Sequence, residues 1–224
     1  MAPAALRTAV AAALAPLADP ARAAAMAAYM KQRFEFLGVP TPPRRAATRA
    51  LWRGFDGNAA AAARSLWRAP HREFQYVACD LLRDRADDLP AAALDDLLAL
   101  AVRKSWWDSV DALAASVGIL VRRHRRLQRA MDRLIDDPNP WLRRIALLHQ
   151  LGWQAETDTA RLFDYCLRRG GDDDFFIRKG IGWALRDFAW HDGKSVGRFV
   201  AAHRAELSPL SCREATRNLD IDRP

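Results

Sequence analysis

Apolar residues recur at three- and four-residue spacing in almost every segment between breakers, and no segment shows sustained alternation with β-branched residues. The pattern predicts an all-α chain, with helices over residues 4–17, 21–36, 43–55, 58–69, 71–85, 90–102, 106–121, 123–136, 140–151, 157–168, 174–188, 194–203 and 209–218. The breaks between them are short and rich in Gly, Pro, Asp and Asn, as in residues 38–43, Asp137-Pro138-Asn139-Pro140 and Gly170-Gly171-Asp172. Short links place consecutive helices antiparallel. No stretch reads as an interdomain linker, so a single domain over residues 1–224 is expected.

A longer period lies over this helical one. Aromatic residues near predicted helix starts, Phe74, Trp107, Trp141 and Phe176, follow one another at 33, 34 and 35 residues. The last two share a context, Trp141-Leu142-Arg143-Arg144 against Phe176-Ile177-Arg178-Lys179. Two helices per repeat of this size predict a helical solenoid, which curves and offers a concave face to a long partner. An ordinary bundle with accidental spacing is the alternative.

Composition narrows the partner. Half of the 224 residues are hydrophobic, enough for a substantial core and too many for a disordered chain. Lys and Arg number 35 against 27 Asp and Glu, a formal charge of +8, which favours an anionic partner such as nucleic acid. Most of that excess is arginine, whose planar fork suits phosphate. Cys79, Cys166 and Cys212 are odd in number and far apart, and the five histidines lack ligand spacing. Neither a disulfide framework nor a metal site is expected, and the cysteine usage suits a reducing, cytoplasmic compartment. The alanine-rich start carries only Arg7 as an early charge and is broken by Pro16, so a helix pair is expected there rather than a signal peptide. No run of eighteen apolar residues exists, so no membrane span or membrane partner is expected. A monomer without cofactor is the simplest expectation.

The stretch Lys104-Ser105-Trp106-Trp107-Asp108-Ser109-Val110-Asp111 carries the first candidate chemistry. Ser105 and Asp108 read as a capping box opening a helix, with Trp106 and Trp107 in its first turn. Asp111 falls four residues after Trp107, so an indole and a carboxylate share a helix face. Asp108 has employment in the cap and beside Lys104. Asp111 has no basic neighbour on its own helix, so its partner comes from another helix or from a ligand. An interhelical ion pair and a working carboxylate both satisfy that pattern.

Three further features stand out. Arg143 and Arg144 are adjacent and cannot share a face, so one can pair locally while the other projects outward. In Phe175-Phe176-Ile177-Arg178-Lys179-Gly180-Ile181-Gly182-Trp183, two glycines interrupt an evident helix at about 1 kcal/mol each. Close approach of a helix or of a ligand backbone would explain them. Arg122, Arg126, Arg129 and Arg133 follow four-three-four spacing, either a solvated outer face or a phosphate-contacting stripe. No Gly-rich phosphate loop, Ser-His-Asp grouping or helix-turn-helix is legible.

Taken in order, Tyr29-Met30-Lys31, Phe36-Leu37-Gly38 with Thr41-Pro42, Ser105 to Asp111, Trp141 to Leu151, and Phe175 to Arg186 resemble the alkylpurine DNA glycosylases built from HEAT-like repeats, the bacterial DNA alkylation repair group. The resemblance spans most of the chain, although Pro40 stands where family members carry a polar residue. It implies an all-α curved solenoid of HEAT-like antiparallel helix pairs with a concave basic cleft. It also implies a monofunctional glycosylase that releases cationic N3- or N7-alkylated purines from duplex DNA. Asp111 would be the catalytic carboxylate, Trp107 and Trp183 would contact the sugar and backbone of the lesion nucleotide, and Arg144 would help hold the DNA. Tyr29, Arg143, Arg178 and Lys179 would be further DNA contacts.

The implied chemistry asks for one acid. An alkylated purine is already cationic, so it leaves without protonation while the deoxyribose becomes oxocarbenium-like and a carboxylate steadies it. This reading expects Asp111 unneutralised by a permanent partner within the protein. Its rivals are a catalytically silent HEAT-like DNA-binding protein and a protein-binding scaffold.

Overall fold

The structure is a computed structural model that describes residues 1–219, with residues 220–224 outside the described part. Among the described residues the regular structure is entirely helical, as the periodicity predicts. The chain divides into two compact units, Met1–Leu100 and Ala101–Pro224.

The first unit contains α1 (Pro3–Leu14), α2 (Pro20–Tyr29), α3 (Thr41–Arg53), α4 (Ala59–Trp67), α5 (Arg72–Asp84) and α6 (Ala93–Ala101), the last ending at the boundary. Proline in the first turn of α1, α2 and α3 costs no hydrogen bond there, and Asp19 and Asn58 cap α2 and α4 through their side chains. The core is built from α1 against α3 and α4, and α4 against α5, with Leu6, Val10, Leu66 and Leu81 fully buried.

The predicted helix over 21–36 stops early, at Tyr29. Lys31 and Gln32 adopt left-handed backbone, at φ 58° and 56°, and turn the chain out of the helix. The segment beyond that turn is pinned from a distance. The fully buried Glu73 carboxylate accepts backbone N–H bonds from Leu37 (3.0 Å), Gly38 (2.9 Å) and Val39 (3.1 Å). Gly38 sits at φ 85°, where an added Cβ would lie 2.1 Å from the Asp19 carbonyl oxygen, so only glycine fits. Helical hydrophobic spacing at Phe36 thus yields to a buried carboxylate 37 positions further on.

The second unit contains α7 (Trp107–Arg123), α8 (Gln128–Leu134), α9 (Pro140–Leu148), α10 (Thr159–Arg168), α11 (Phe175–Ala202) and α12 (Pro209–Ala215). Packing runs α7 on α9, α9 on α11 and α11 on α12. Gly118 permits the first of these contacts, since a Cβ there would lie 2.1 Å from the His149 carbonyl oxygen. The two helices predicted over 174–188 and 194–203 run together as α11 but remain distinct at Asp192, whose φ of −137° and ψ of 76° are not helical. Its carboxylate accepts from the Ser195 N–H and caps the second segment.

The 35-residue repeat is physical between α9 and α11. Asp137 accepts from the Asn139 N–H and Asn139 caps α9; Asp172 accepts from the Asp174 N–H and Asp174 caps α11. Arg143 then donates back to the Asp137 carbonyl, and Arg178 to the Asp172 carbonyl. At α7 the repeat requires a correction. Trp106, rather than Trp107, meets Trp141 and Phe176, with ring centroids 5.8, 5.0 and 5.1 Å apart around the triangle. Trp106 is the N-cap, in extended backbone at φ −161° and ψ 159°, and it has no side-chain cap hydrogen bond. The expected capping box is therefore not formed. The helix starts one residue later than that box would require, and Trp107 opens the face that carries Asp111.

Candidate active site

Three helices of the second unit, α7, α9 and α11, converge at Asp111. It lies one turn into α7, largely buried, and its carboxylate meets Arg144 from the first turns of α9. Arg144 Nε donates to one carboxylate oxygen at 2.6 Å and Nη2 to the other at 2.9 Å, a bidentate pair. Its remaining nitrogen, Nη1, donates to the Phe176 carbonyl in the first turn of α11. The arginine side chain is 5% exposed and the aspartate 16%. The glycosylase reading expected an unpaired carboxylate, and this is corrected: Asp111 has an internal cationic partner supplied by another helix, as the interhelical alternative allowed.

The electrostatics at Asp111 run in two directions. Burial raises its pKa most strongly, the hydrogen bonds and charge of Arg144 oppose that rise, and the nearby Asp108 adds to it. The net direction is upward. An anion kept partly out of water is thus held in place by a fork that does not cancel its desolvation.

Gly180 explains itself here. A Cβ at that position would lie 3.2 Å from Arg144 Nη1 and 3.5 Å from Leu147 Cδ1, so the absent side chain makes room for the guanidinium. Gly182 serves helix packing instead, since its Cβ would lie 2.4 Å from Glu214 Cβ and 3.0 Å from the Ser211 carbonyl oxygen on α12. Contacts within the protein thus account for both glycines. Trp183 lies on α11 three residues after Gly180 and seven after Phe176, so it shares their helix face one turn beyond the guanidinium, and it is partly exposed. Trp107, also partly exposed, lies one turn before Asp111 on α7.

The other residues singled out by sequence fall elsewhere. Arg143 donates to the carbonyls of Asp137 and Pro138 and pairs with Asp172 at 3.3 Å. Arg178 bonds the Asp172 carbonyl and the Asp173 carboxylate at 2.7 Å each. Lys179 pairs with Glu214 at 2.8 Å, and Arg186 shares that carboxylate. Arg143, Arg178 and Lys179 thus have internal partners that brace helix starts or the contact of α11 with α12. Tyr29 belongs to the first unit, at the last residue of α2, where it is 70% exposed.

Sequence reasoning missed the fixing of the pair by the Phe176 carbonyl and by Gly180. It also missed His149, whose Nδ1 faces the Ala146 carbonyl at 2.7 Å and whose Nε2 faces Gln128. Complete burial pulls its pKa down to about 4, so it is neutral and structural. The isolated glycine at 180 was the one legible signal for the first of these. Among the described residues no cluster of three or more His, Cys, Asp or Glu could hold a metal, and no helix is long and apolar enough to cross a membrane.

Fold and site together define an all-helical protein with a carboxylate–guanidinium pair on helices that also carry partly exposed indoles. The family model of DNA alkylation repair enzymes matches residues 10–219, nearly the whole chain, and the protein belongs to that family. It is similar to a solved structure from Enterococcus faecalis described as a predicted DNA alkylation repair enzyme. The two are 30% identical, with a TM-score of 0.84, over 92% of this chain and 98% of that one. Among curated proteins there is no match.

Proposed function

We propose that the protein is a DNA glycosylase that hydrolyses the N-glycosidic bond of cationic N3- or N7-alkylated purines in duplex DNA. The observation that carries this reading is the anchored Asp111 carboxylate, largely buried on the same helix face as Trp107, in a chain of the DNA alkylation repair family. A curved stack of HEAT-like helix pairs with a basic concave face is the architecture this reading requires.

In the reaction, the electron pair of the bond between C1′ and the purine nitrogen moves onto the base, which leaves neutral. The deoxyribose becomes oxocarbenium-like, and the Asp111 carboxylate stabilises it. A water oxygen then bonds to C1′ and loses its proton to Asp111 or to solvent, leaving an abasic sugar. Arg144 uses one lone-pair direction on each carboxylate oxygen, which leaves acceptor capacity on both for the water or the sugar. It holds the group at a fixed angle without a flexible linkage. Desolvation that raises the carboxyl pKa also makes it a better base. The indoles of Trp107 and Trp183 flank the developing cation, an attraction of about 0.5 to 2 kcal/mol each where water is excluded. Tyr29 in the first unit supplies a separate DNA contact.

A second reading, a duplex-binding relative that releases no base, is favoured by the ion pair itself, because Arg144 offsets the negative charge the sugar would feel. The two part on one measurement. With a duplex carrying 7-methylguanine, the protein releases the free base, seen by chromatography, and leaves alkali-labile sites. Asp111→Asn abolishes release while duplex affinity stays within about twofold. Intact duplex at high protein concentration establishes the silent binder instead.

A further inference from the structure

The arginine row that begins with Arg122 in the last turn of α7 has no place in the site above. It does not form the single helical stripe that its spacing predicts, because residues Arg125–Leu127 make a 3-10 turn and α8 begins only at Gln128. The turn leaves Arg126, Arg129 and Arg133 exposed, with Arg129 and Arg133 one turn apart on α8. Among the described residues none of these three has an ion-pair partner.

The acids that could neutralise them are committed elsewhere. Glu156 is shared by Arg122 at 2.6 Å and Arg125 at 3.0 Å, two cations on one carboxylate. Asp132 accepts from Arg161 Nε and the Tyr165 hydroxyl, both at 2.7 Å, on the side of α8 that faces α10. Asp136 is taken by Arg168 and Arg169. Asp137 accepts from the Asn139 N–H in the turn before α9. The acids on and around α8 are therefore already paired, while Arg126, Arg129 and Arg133 face solvent. Like charges one helical turn apart repel, so the row is held against its own electrostatics rather than by it.

We infer that Arg126, Arg129 and Arg133 form a second, lesion-independent contact for the phosphate backbone of duplex DNA, outside the Asp111 site. From Asp111 to the end of α7 is about 18 Å at 1.5 Å per residue. A duplex presents one charge per roughly 1.7 Å, so that span covers on the order of ten phosphate charges. Guanidinium groups without internal acceptors are available to replace condensed counterions along such a flank. The patch binds undamaged and damaged duplex alike. It rests on the reading of DNA as the partner, but not on base release.

The test measures binding of an undamaged duplex by fluorescence anisotropy across a salt series. In the R126Q/R129Q/R133Q variant the slope of log affinity against log salt flattens by about 2 to 3, at roughly 0.9 per lost phosphate contact, and affinity at low salt falls at least tenfold. In R126K/R129K/R133K the slope is retained, which separates lost charge from a damaged fold. Release of 7-methylguanine at saturating protein stays within twofold in both. An unchanged slope in the glutamine variant overturns the proposal. So does loss of binding to phosphatidylserine vesicles with duplex binding intact, which would assign the patch to a lipid surface. Because the binding measurements use undamaged duplex, the salt slope decides the proposal whether or not the parent protein releases any base.

Discussion

Asp111 and Arg144 are joined by two parallel hydrogen bonds of 2.6 and 2.9 Å, from guanidinium to carboxylate, across the contact between α7 and α9. The pair is anchored a third time, through Arg144 Nη1 on the Phe176 carbonyl of α11. One side chain therefore ties three helices of the second unit together, at the point where the candidate chemistry sits. Structure and function draw on the same bonds, and substitutions can separate them.

Breaking the pair from the carboxylate side leaves a nearly buried guanidinium short of acceptors. Asp111→Asn keeps the shape and one acceptor, so thermal unfolding shows a loss on the order of 2 kcal/mol rather than collapse of the fold. Arg144→Met removes a cation and strands a partly buried carboxylate, at a cost of about 3 kcal/mol. The double variant loses less than the two single losses added, and the difference is the coupling energy. Additive losses would show that the two groups do not act on each other in solution.

Gly180 and Gly182 lie two residues apart and answer oppositely. In Gly180→Ala the new methyl presses on Arg144 Nη1, the end of a flexible side chain, while the helix gains about 1 kcal/mol in propensity. Stability holds or rises slightly, and base release falls several-fold as the Asp111 fork tilts. In Gly182→Ala the methyl meets Glu214 Cβ and the Ser211 carbonyl, so about 1 to 3 kcal/mol is lost. Melting curves paired with single-turnover release check both, and equal effects on release at the two positions would refute a positioning role for Gly180.

The buried Glu73 carboxylate is a structural anchor of the first unit. Glu73→Gln turns one acceptor oxygen into a donor facing the N–H groups of residues 37–39, at a cost of about 2 to 3 kcal/mol. Hydrogen exchange at Leu37, Gly38 and Val39 accelerates more than exchange in α9. Uniform acceleration across the chain would mean that Glu73 holds no particular segment.

His149 makes stability depend on acid. Its folded pKa is about 4 against 6.5 for an unburied imidazole, so the unfolded chain binds the proton more tightly. Stability from this group is complete above pH 6.5 and is lost as pH falls from 6.5 toward 4, by on the order of 3 kcal/mol at the low end. His149→Asn, which has no proton to gain, flattens the pH dependence of the melting temperature over that window. A parallel curve in the variant would assign the acid sensitivity to other groups.

Much of the architecture was written locally. Hydrophobic spacing, proline in first turns and the Asp and Asn caps at 19, 58, 139, 158 and 174 place most helices within a few residues, because each signal acts within one turn of itself. The 35-residue correspondence of Trp141 through Arg144 with Phe176 through Lys179 was legible for the same reason, and Asp111 stood out because no cation lies within one turn of it on its own helix. The sequence alone was silent on the partner Asp111 takes, and its spacing singled out Trp107 where Trp106 joins the aromatic triangle. It was also silent on why the helix ending at Tyr29 stops seven residues early. Those outcomes are settled by groups more than thirty positions away, Arg144, Trp141, Phe176 and Glu73, whose burial makes an unmet hydrogen bond or charge more costly than any local preference.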